Sequence, residues 1–233
     1  MKVTRFAPSP TGNLHIGGVR TALFNYVFSR QSGGLFLIRV EDTDRERSKK
    51  EYEEDIISGL EWLGISPDKE PIRQSERSDI YQKAAEKLIN SGSAYWCDCS
   101  PDDLEEMRKQ QAEAGTKPMY DGRSRDLGLE RSDNTVLRLA TPLEGETIVK
   151  DLIRGEIIFR NSELDDLILI RSDGTPTYHF CNVVDDFDQG VTTVIRGEDH
   201  ISNTPRQIHI QKALGYPDLE YAHLPLVLGE DKK

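Results

Sequence analysis

Cysteine is scarce, with three residues in 233, two of them as Cys97-Asp98-Cys99. An odd count without a framework of spacings excludes a disulfide-built fold and points to a reducing compartment, the cytoplasm. No run of about 18 apolar residues occurs. The N-terminus, Met-Lys-Val-Thr-Arg-Phe, lacks an apolar secretory core. Neither export, membrane spanning nor a membrane partner is therefore expected. Positive charge is in deficit: 30 Lys and Arg face 41 Asp and Glu, for a net −11. That excludes unspecific polyanion binding, which comes mostly from neutralised phosphates. A locally basic face is still open, and Arg45, Arg47, Lys49, Lys50, Arg123, Arg125 and Arg131 can supply one. Internal repeats and low-complexity tracts are missing too. The chain is long enough to bury a sizeable core without disulfides or metals.

The pattern begins as strand, loop, helix, strand. A short Val-containing start runs into Ala7-Pro8-Ser9-Pro10-Thr11-Gly12, where proline and glycine forbid continued regular structure. From Gly17 to Arg30 the apolar positions Val19, Leu23, Phe24, Val27 and Phe28 recur at three- and four-residue spacing, and Gly33-Gly34 closes the helix. Leu35 to Val40 reads as a buried strand presenting Glu41-Asp42-Thr43-Asp44 at its carboxyl end. A helix carrying Tyr52, Ile56, Leu60 and Leu63 on one face follows, then another from Ser78 to Ser91.

Residues 1–96 thus form a first α/β segment, and from 97 to 176 the texture changes. Ser100-Pro101-Asp102-Asp103 is a capping box that opens a charged helix ending near Gly115. The runs 136–140, 147–153, 157–160 and 167–171 predict short strands of an antiparallel insert. From 177 to 233 the α/β pattern resumes: 178–184 and 193–195 read as buried strands and 204–214 as a helix.

His15-Ile16-Gly17-Gly18 sits where a loop opens a helix. Adjacent glycines admit a ligand close to the backbone, the helix start offers free N–H groups and a positive dipole end, and phosphate is the natural guest. The tetrapeptide alone is a weak signal. Its context is Arg5-Phe6-Ala7-Pro8-Ser9-Pro10-Thr11-Gly12-Asn13-Leu14-His15-Ile16-Gly17-Gly18. Further along come Val40-Glu41-Asp42-Thr43-Asp44, Arg73-Gln74-Ser75-Glu76-Arg77 and Tyr120-Asp121-Gly122-Arg123. Ser172-Asp173-Gly174, Pro176-Thr177-Tyr178-His179, Val183-Val184-Asp185-Asp186 and Ile195-Arg196-Gly197-Glu198-Asp199 complete the series. Over essentially its whole length the sequence resembles the glutamyl branch of the class I aminoacyl-tRNA synthetases.

The resemblance implies a Rossmann-like parallel-sheet catalytic domain with an inserted α+β module, at 97–176, that binds the tRNA acceptor end. It implies ATP as substrate with Mg²⁺, L-glutamate as the amino acid and tRNA(Glu) as acceptor. Arg5, Ala7 and Ser9 would hold glutamate, Glu41 would receive its ammonium group, and Tyr178 and Asn182 would line the pocket. Arg196 would pair with the side-chain carboxylate and reject glutamine, which would leave a buried charge unpaired. His15, Gly17, Gly18, Glu198 and Asp199 would serve ATP, with Asp199 favoured over Glu198 for the ribose. His179 and His209 read as structural. Cys181 reads as a small hydrophobe in an apolar strand.

Some relatives complete a zinc site around Cys97 and Cys99, but Ser124 and Asp126 stand where a cysteine and a histidine would be needed, so no structural zinc is expected. The family's lysine-serine-lysine loop follows the segment matching 223–228, and the sequence stops at Gly229-Glu230-Asp231-Lys232-Lys233, with no counterpart of the anticodon-reading domain. The resemblance therefore implies a catalytic fragment that binds glutamate and nucleotide but charges tRNA poorly. Two other readings stay open. One is a paralogue that glutamylates a modified base of tRNA(Asp), and the other a noncatalytic module that binds glutamate or RNA.

Overall fold

A computed structural model describes residues 1–44 and 46–227. Arg45, one of the expected basic residues, and 228–233, at the end of the expected leucine-rich segment, lie outside the described residues. The first unit is β1 (Val3–Phe6), α1 (Ile16–Gln31), β2 (Leu35–Val40), α2 (Lys50–Trp62) and β3 (Ile72–Arg73). Its three strands run parallel in the order β1-β2-β3. The connection from β1 to β2 is tight: Leu35 N–H donates to Lys2 O at 3.0 Å. A Cβ on Gly34 would fall 1.8 Å from that same carbonyl oxygen, so only glycine fits.

The periodicity of α1 locates the helix but not its buried face. Ala22, Asn25 and Ser29 are the buried positions, whereas Leu23, Phe24 and Val27 are 45%, 49% and 42% exposed. The reason is a close crossing held by polar bonds. Asn25 Nδ2 donates to Ile195 O at 3.0 Å, and Thr4 Oγ1 donates to Asn25 O at 2.8 Å. In α2 the expected positions Ile56 and Leu60 are buried and pack with Phe6, Ala22, Phe36 and Ile38.

After α3 (Ser78–Asn90) the chain enters β4 (Ala94–Cys97) and α4 (Pro101–Glu113), then β5 (Val136–Leu139), β6 (Glu146–Asp151), β7 (Gly155–Arg160) and β8 (Ile168–Ile170). The capping box opens α4 as its sequence requires, with Asp103 N–H donating to Ser100 Oγ at 3.1 Å. Strands β4, β5 and β8 form one antiparallel sheet. The β6–β7 hairpin, expected in the same insert, leaves it and pairs elsewhere.

Its partner is the last part of the fold: α5 (Tyr178–Asp188), β9 (Thr193–Gly197), α6 (Thr204–Leu214) and β10 (Glu220–Leu224). The second sheet runs β7-β6-β10-β9, with β9 and β10 parallel. Residues 178–184, expected as a buried strand, are helical. Phe180 to Asp186 are all buried, and a short, largely apolar segment such as 178–184 reads alike as a buried helix or a buried strand. Cys181 is buried in this helix, among Phe180, Val183 and Leu214.

Between the first sheet and the mixed second one, β1 and β9 are joined where Thr192 N–H donates to Val3 O at 2.9 Å. Strand order reverses there, with β2 and β3 to one side and β10 to the other, and α/β sheets bind ligands at such a point beyond the carboxyl ends of their strands.

Replacing Gly34 by alanine is expected to cost about 3 kcal/mol, the upper range for an inserted methyl group that only backbone can make way for. Gly33→Ala next to it, at φ 60° in open space, should cost only about 1 kcal/mol from the left-handed backbone. Urea midpoints of the two variants check the ranking, and equal losses would mean that the β1–β2 turn yields.

Candidate active site

A cavity of about 360 Å³ opens at that reversal. It brings together Arg5, Ala7, Ser9, His15, Gly17, Gly18, Glu41, Tyr178, Asn182 and Asp199, from segments up to 194 residues apart in sequence. Two expected residues are elsewhere. Arg196 does not line this cavity, and Glu198 ties Arg154 to the backbone N–H of Leu226, 2.9 Å away. The sequence did not single out Arg20, Thr21, His200, Leu226 or Val227, which also line it. Arg20 and Thr21 follow the glycines into α1, His200 follows Asp199, and Leu226 and Val227 lie in the segment 223–228, so adjacency to the matched motifs was the signal that could have found them.

One wall is the start of α1. His15 is its N-cap, and its Nδ1 accepts from Gly18 N–H at 3.4 Å. A neutral ring that accepts at Nδ1 carries its proton on Nε2, which is then free to donate. A Cβ on Gly17 would meet the His15 ring at 3.2 Å. The first turn holds no acidic residue, so the helix end keeps its positive potential.

The opposite wall is charged and rests on a buried network. Arg39, near the carboxyl end of β2, is wholly buried. Its Nη1 meets Asp186 Oδ1 at 2.5 Å, its Nη2 meets Glu41 Oε1 at 3.1 Å, and its Nε lies 3.8 Å from Asp185 Oδ2. Arg5 Nε donates to the same Asp186 Oδ1 at 2.9 Å, and Asn182 Nδ2 donates to Glu41 Oε1 at 2.8 Å. Asp185 is further held by Arg77, Gln74 and Tyr81 at 2.7 to 2.8 Å. Both lining groups, Arg5 and Glu41, are therefore locked by residues beneath the cavity floor.

Burial raises the carboxyl of Glu41 above its usual range despite Arg39 and Arg5. For Asp186 burial acts in the same sense, but the two guanidinium groups prevail and hold it low. Burial, with Glu41 adding to it, pushes the Tyr178 hydroxyl up to about 12. Arg196 sits deeper, 5% exposed at the end of β9. Its partners are all neutral: Gln207 Oε1 at 2.7 Å, Thr204 Oγ1 at 2.9 Å, His223 Nε2 at 3.1 Å and His200 O at 3.3 Å.

A second cleft of about 640 Å³ shares Ser9, Glu41 and Tyr178 with the first and carries Arg47 and Arg171. The other basic residues do not gather there. Arg125 pairs with Asp166, Arg123 with Asp121, and Lys49 and Lys50 with Glu51 and Glu54. Cys99 Sγ lies 3.7 Å from Ser124 Oγ. No group of three or more His, Cys, Asp or Glu able to hold a metal occurs among the described residues. His209 Nε2 meets Thr147 Oγ1 at 2.7 Å, and burial pushes His179 down to about 4. No helix among the described residues is long and apolar enough to cross a membrane.

Comparison with known proteins agrees with this architecture. The profile of the family described as tRNA synthetases class I (E and Q), catalytic domain, matches residues 2–233. A glutamate–tRNA ligase of Thermodesulfovibrio yellowstonii is 54% identical over 98% of this chain and 49% of its own length. One from Oleidesulfovibrio alaskensis is 51% identical over 99% and 50%. Among solved structures, a glutamate tRNA ligase from Elizabethkingia meningosepticum in complex with its amino acid superposes with a TM-score of 0.88, at 37% identity over 97% of this chain and 50% of that one. The chain spans about half the length of the curated relatives it matches. It belongs to this class I tRNA synthetase family.

Glu41→Gln should separate stability from binding. Arg39 and Asn182 both donate to Oε1, which glutamine retains. A carboxyl raised in the folded state contributes stability below about pH 4.3 and loses it as pH rises through the folded value. At pH 7 the variant should thus melt at the wild-type temperature or above it, while losing affinity for an ammonium-bearing ligand. A large drop in melting temperature would show that the charge of Glu41 is needed to neutralise Arg39.

Proposed function

We propose that this chain, as a member of that family, binds L-glutamate and ATP with its magnesium, forms glutamyl-adenylate, and transfers the glutamyl group to the acceptor end of tRNA(Glu). The observation that carries the reading is a charged cradle facing an acid-free helix start across one cavity. Arg5 and Glu41, fixed side by side, match the carboxylate and ammonium of an α-amino acid. His15 and the start of α1 match the phosphates, and Asp199 the ribose. This work is done in the cytoplasm, where tRNA is charged.

In the first step a glutamate carboxylate oxygen attacks the α-phosphorus of ATP. The bond from phosphorus to the bridging oxygen breaks, and pyrophosphate leaves with its electron pair. In the second, a hydroxyl of the terminal adenosine attacks the acyl carbon and AMP leaves. Neither step needs a covalent enzyme intermediate, so the residues act by position and charge. The Nε2–H of His15 and the α1 dipole offset charge on the phosphates. Arg5 and Glu41 hold the amino acid in line, and Ser9 and Ala7 close the wall beside them.

Arg196 is the group assigned to the side-chain carboxylate of glutamate. A guanidinium surrounded only by neutral acceptors keeps its charge available to an anion, whereas glutamine would leave that charge unanswered. In the second cleft Arg47 and Arg171 are the groups suited to phosphates of an incoming acceptor strand, set among the carboxylates of Glu41, Asp44, Glu46 and Asp173. The insert at 97–176 would cradle the stem behind it.

Calorimetric titration with nonhydrolysable glutamyl- and glutaminyl-adenylate analogues tests the reading. The glutamyl analogue should bind about 100-fold tighter or more, a difference of about 2.7 kcal/mol. Arg196→Gln should remove that preference while leaving ATP affinity within about twofold. If the chain takes up neither analogue, the assignment fails. If the variant loses ATP and glutamate alike, the arginine is structural.

A further inference from the structure

His223, on β10, is wholly buried and belongs to no part of the mechanism above. Its Nδ1 lies 2.6 Å from Asp151 Oδ2, and its Nε2 accepts from Arg196 Nε at 3.1 Å. Asp151 ends β6, the strand that crosses from the insert into the second sheet, and it pairs in register with Tyr221. Its carboxylate also receives the backbone N–H groups of Ile153 and Arg154, both at 2.9 Å, and of His223 at 3.1 Å. Three backbone donors leave that carboxylate no role but acceptor, so the ring proton of His223 must sit on Nδ1. The lone pair on Nε2 is thereby turned toward Arg196.

We propose that Asp151 and His223 are positioning residues for glutamate recognition: Asp151 fixes the imidazole tautomer, and the imidazole holds the Arg196 guanidinium in the orientation that receives the substrate carboxylate. The inference rests on the assignment of Arg196 to that carboxylate. The relay has a second effect. It satisfies Nε–H of the arginine with a neutral acceptor, where a carboxylate in the same place would quench the charge the substrate is to meet. It also ties the pocket to β6, the strand that pairs with β10.

The Asp151→Asn variant keeps the shape of the side chain but can present an amide N–H to Nδ1. The ring proton then moves to Nε2 and opposes the Arg196 N–H. His223→Gln keeps an acceptor oxygen, and His223→Leu removes it. ¹⁵N NMR of the histidine rings in the 233-residue chain, with separate titrations of L-glutamate and ATP, reads both parts of the inference. The wild-type spectrum should show protonated Nδ1 and bare Nε2 at His223. Asp151→Asn and His223→Leu should weaken glutamate binding on the order of tenfold or more, the scale seen when a group that orients a binding residue is lost. ATP should stay within about twofold of wild type, and His223→Gln should fall nearer wild type than His223→Leu.

A proton on Nε2 in the wild-type chain overturns the relay whether or not any variant folds. So does undiminished glutamate affinity in Asp151→Asn, or equal loss of glutamate and ATP. A wild-type chain with the expected ring signature that takes up no glutamate overturns the pocket assignment instead, and removes the relay's purpose with it.

Discussion

The site depends on one buried cation. Arg39 is wholly buried near the carboxyl end of a parallel strand, where a guanidinium has no water to solvate it and is tolerable only if anions surround it. Asp186 and Glu41 supply direct partners, with Asp185 beyond. Each of these anions then recruits something else: Asp186 takes Arg5, Glu41 takes Asn182, and Asp185 takes Arg77, Gln74 and Tyr81. From β2 the network thus reaches β1, α3, α5 and the turn after β3. It fixes the two charged groups that face the cavity without either having to choose a rotamer when a ligand arrives, which is what preorganisation requires.

Such a network costs desolvation that hydrophobic packing would not, and its carboxyl groups divide the cost unevenly. Asp186 is held low by two arginines, while Glu41 is raised by burial. The residue we assign to the ligand's ammonium is therefore one whose charge burial disfavours in the empty protein. A positive ligand relieves that discomfort on binding, so part of the network's instability becomes affinity. This is the common exchange of stability for function at binding sites.

How much of this could be read from the sequence varied with the physics involved. Boundaries set by local chemistry came through: the capping box at Ser100, the aliphatic β2, and the start of α1 behind Pro-Gly signals. Asp185 and Asp186 were visible as part of a motif, but their partner Arg39 lies 146 and 147 residues away, and no local pattern announces such a pair. The buried face of α1 was hidden for a related reason. Helical periodicity assumes that apolar side chains face inward, yet this helix crosses β1 and β9 on Ala22, Asn25 and Ser29, where close approach and hydrogen bonds outweigh apolar area. At 178–184 the helix turns its polar residue Asn182 to a buried network rather than to solvent, so no exposed polar face reveals its period. The β6–β7 hairpin read correctly as strands, but its pairing with β10 is a tertiary choice.

Two buried arginines of the site show how structure separates what residue type cannot. Arg39 and Arg196 are both hidden from solvent at central strands. Arg39 is surrounded by carboxylates, which outweigh burial and hold it well above the usual arginine range, although its Nε finds no hydrogen-bond partner. Arg196 has neutral acceptors only, and burial, with Arg5 adding to it, pushes it below that range. A protein that needed Arg196 for stability alone would place an anion beside it, as it did for Arg39. Instead the carboxylate of Asp151 reaches it only through the imidazole of His223, which sets geometry without a direct ion pair. Leaving a buried cation short of one partner destabilises the empty fold. The arrangement makes physical sense if the missing partner is a carboxylate brought by the substrate.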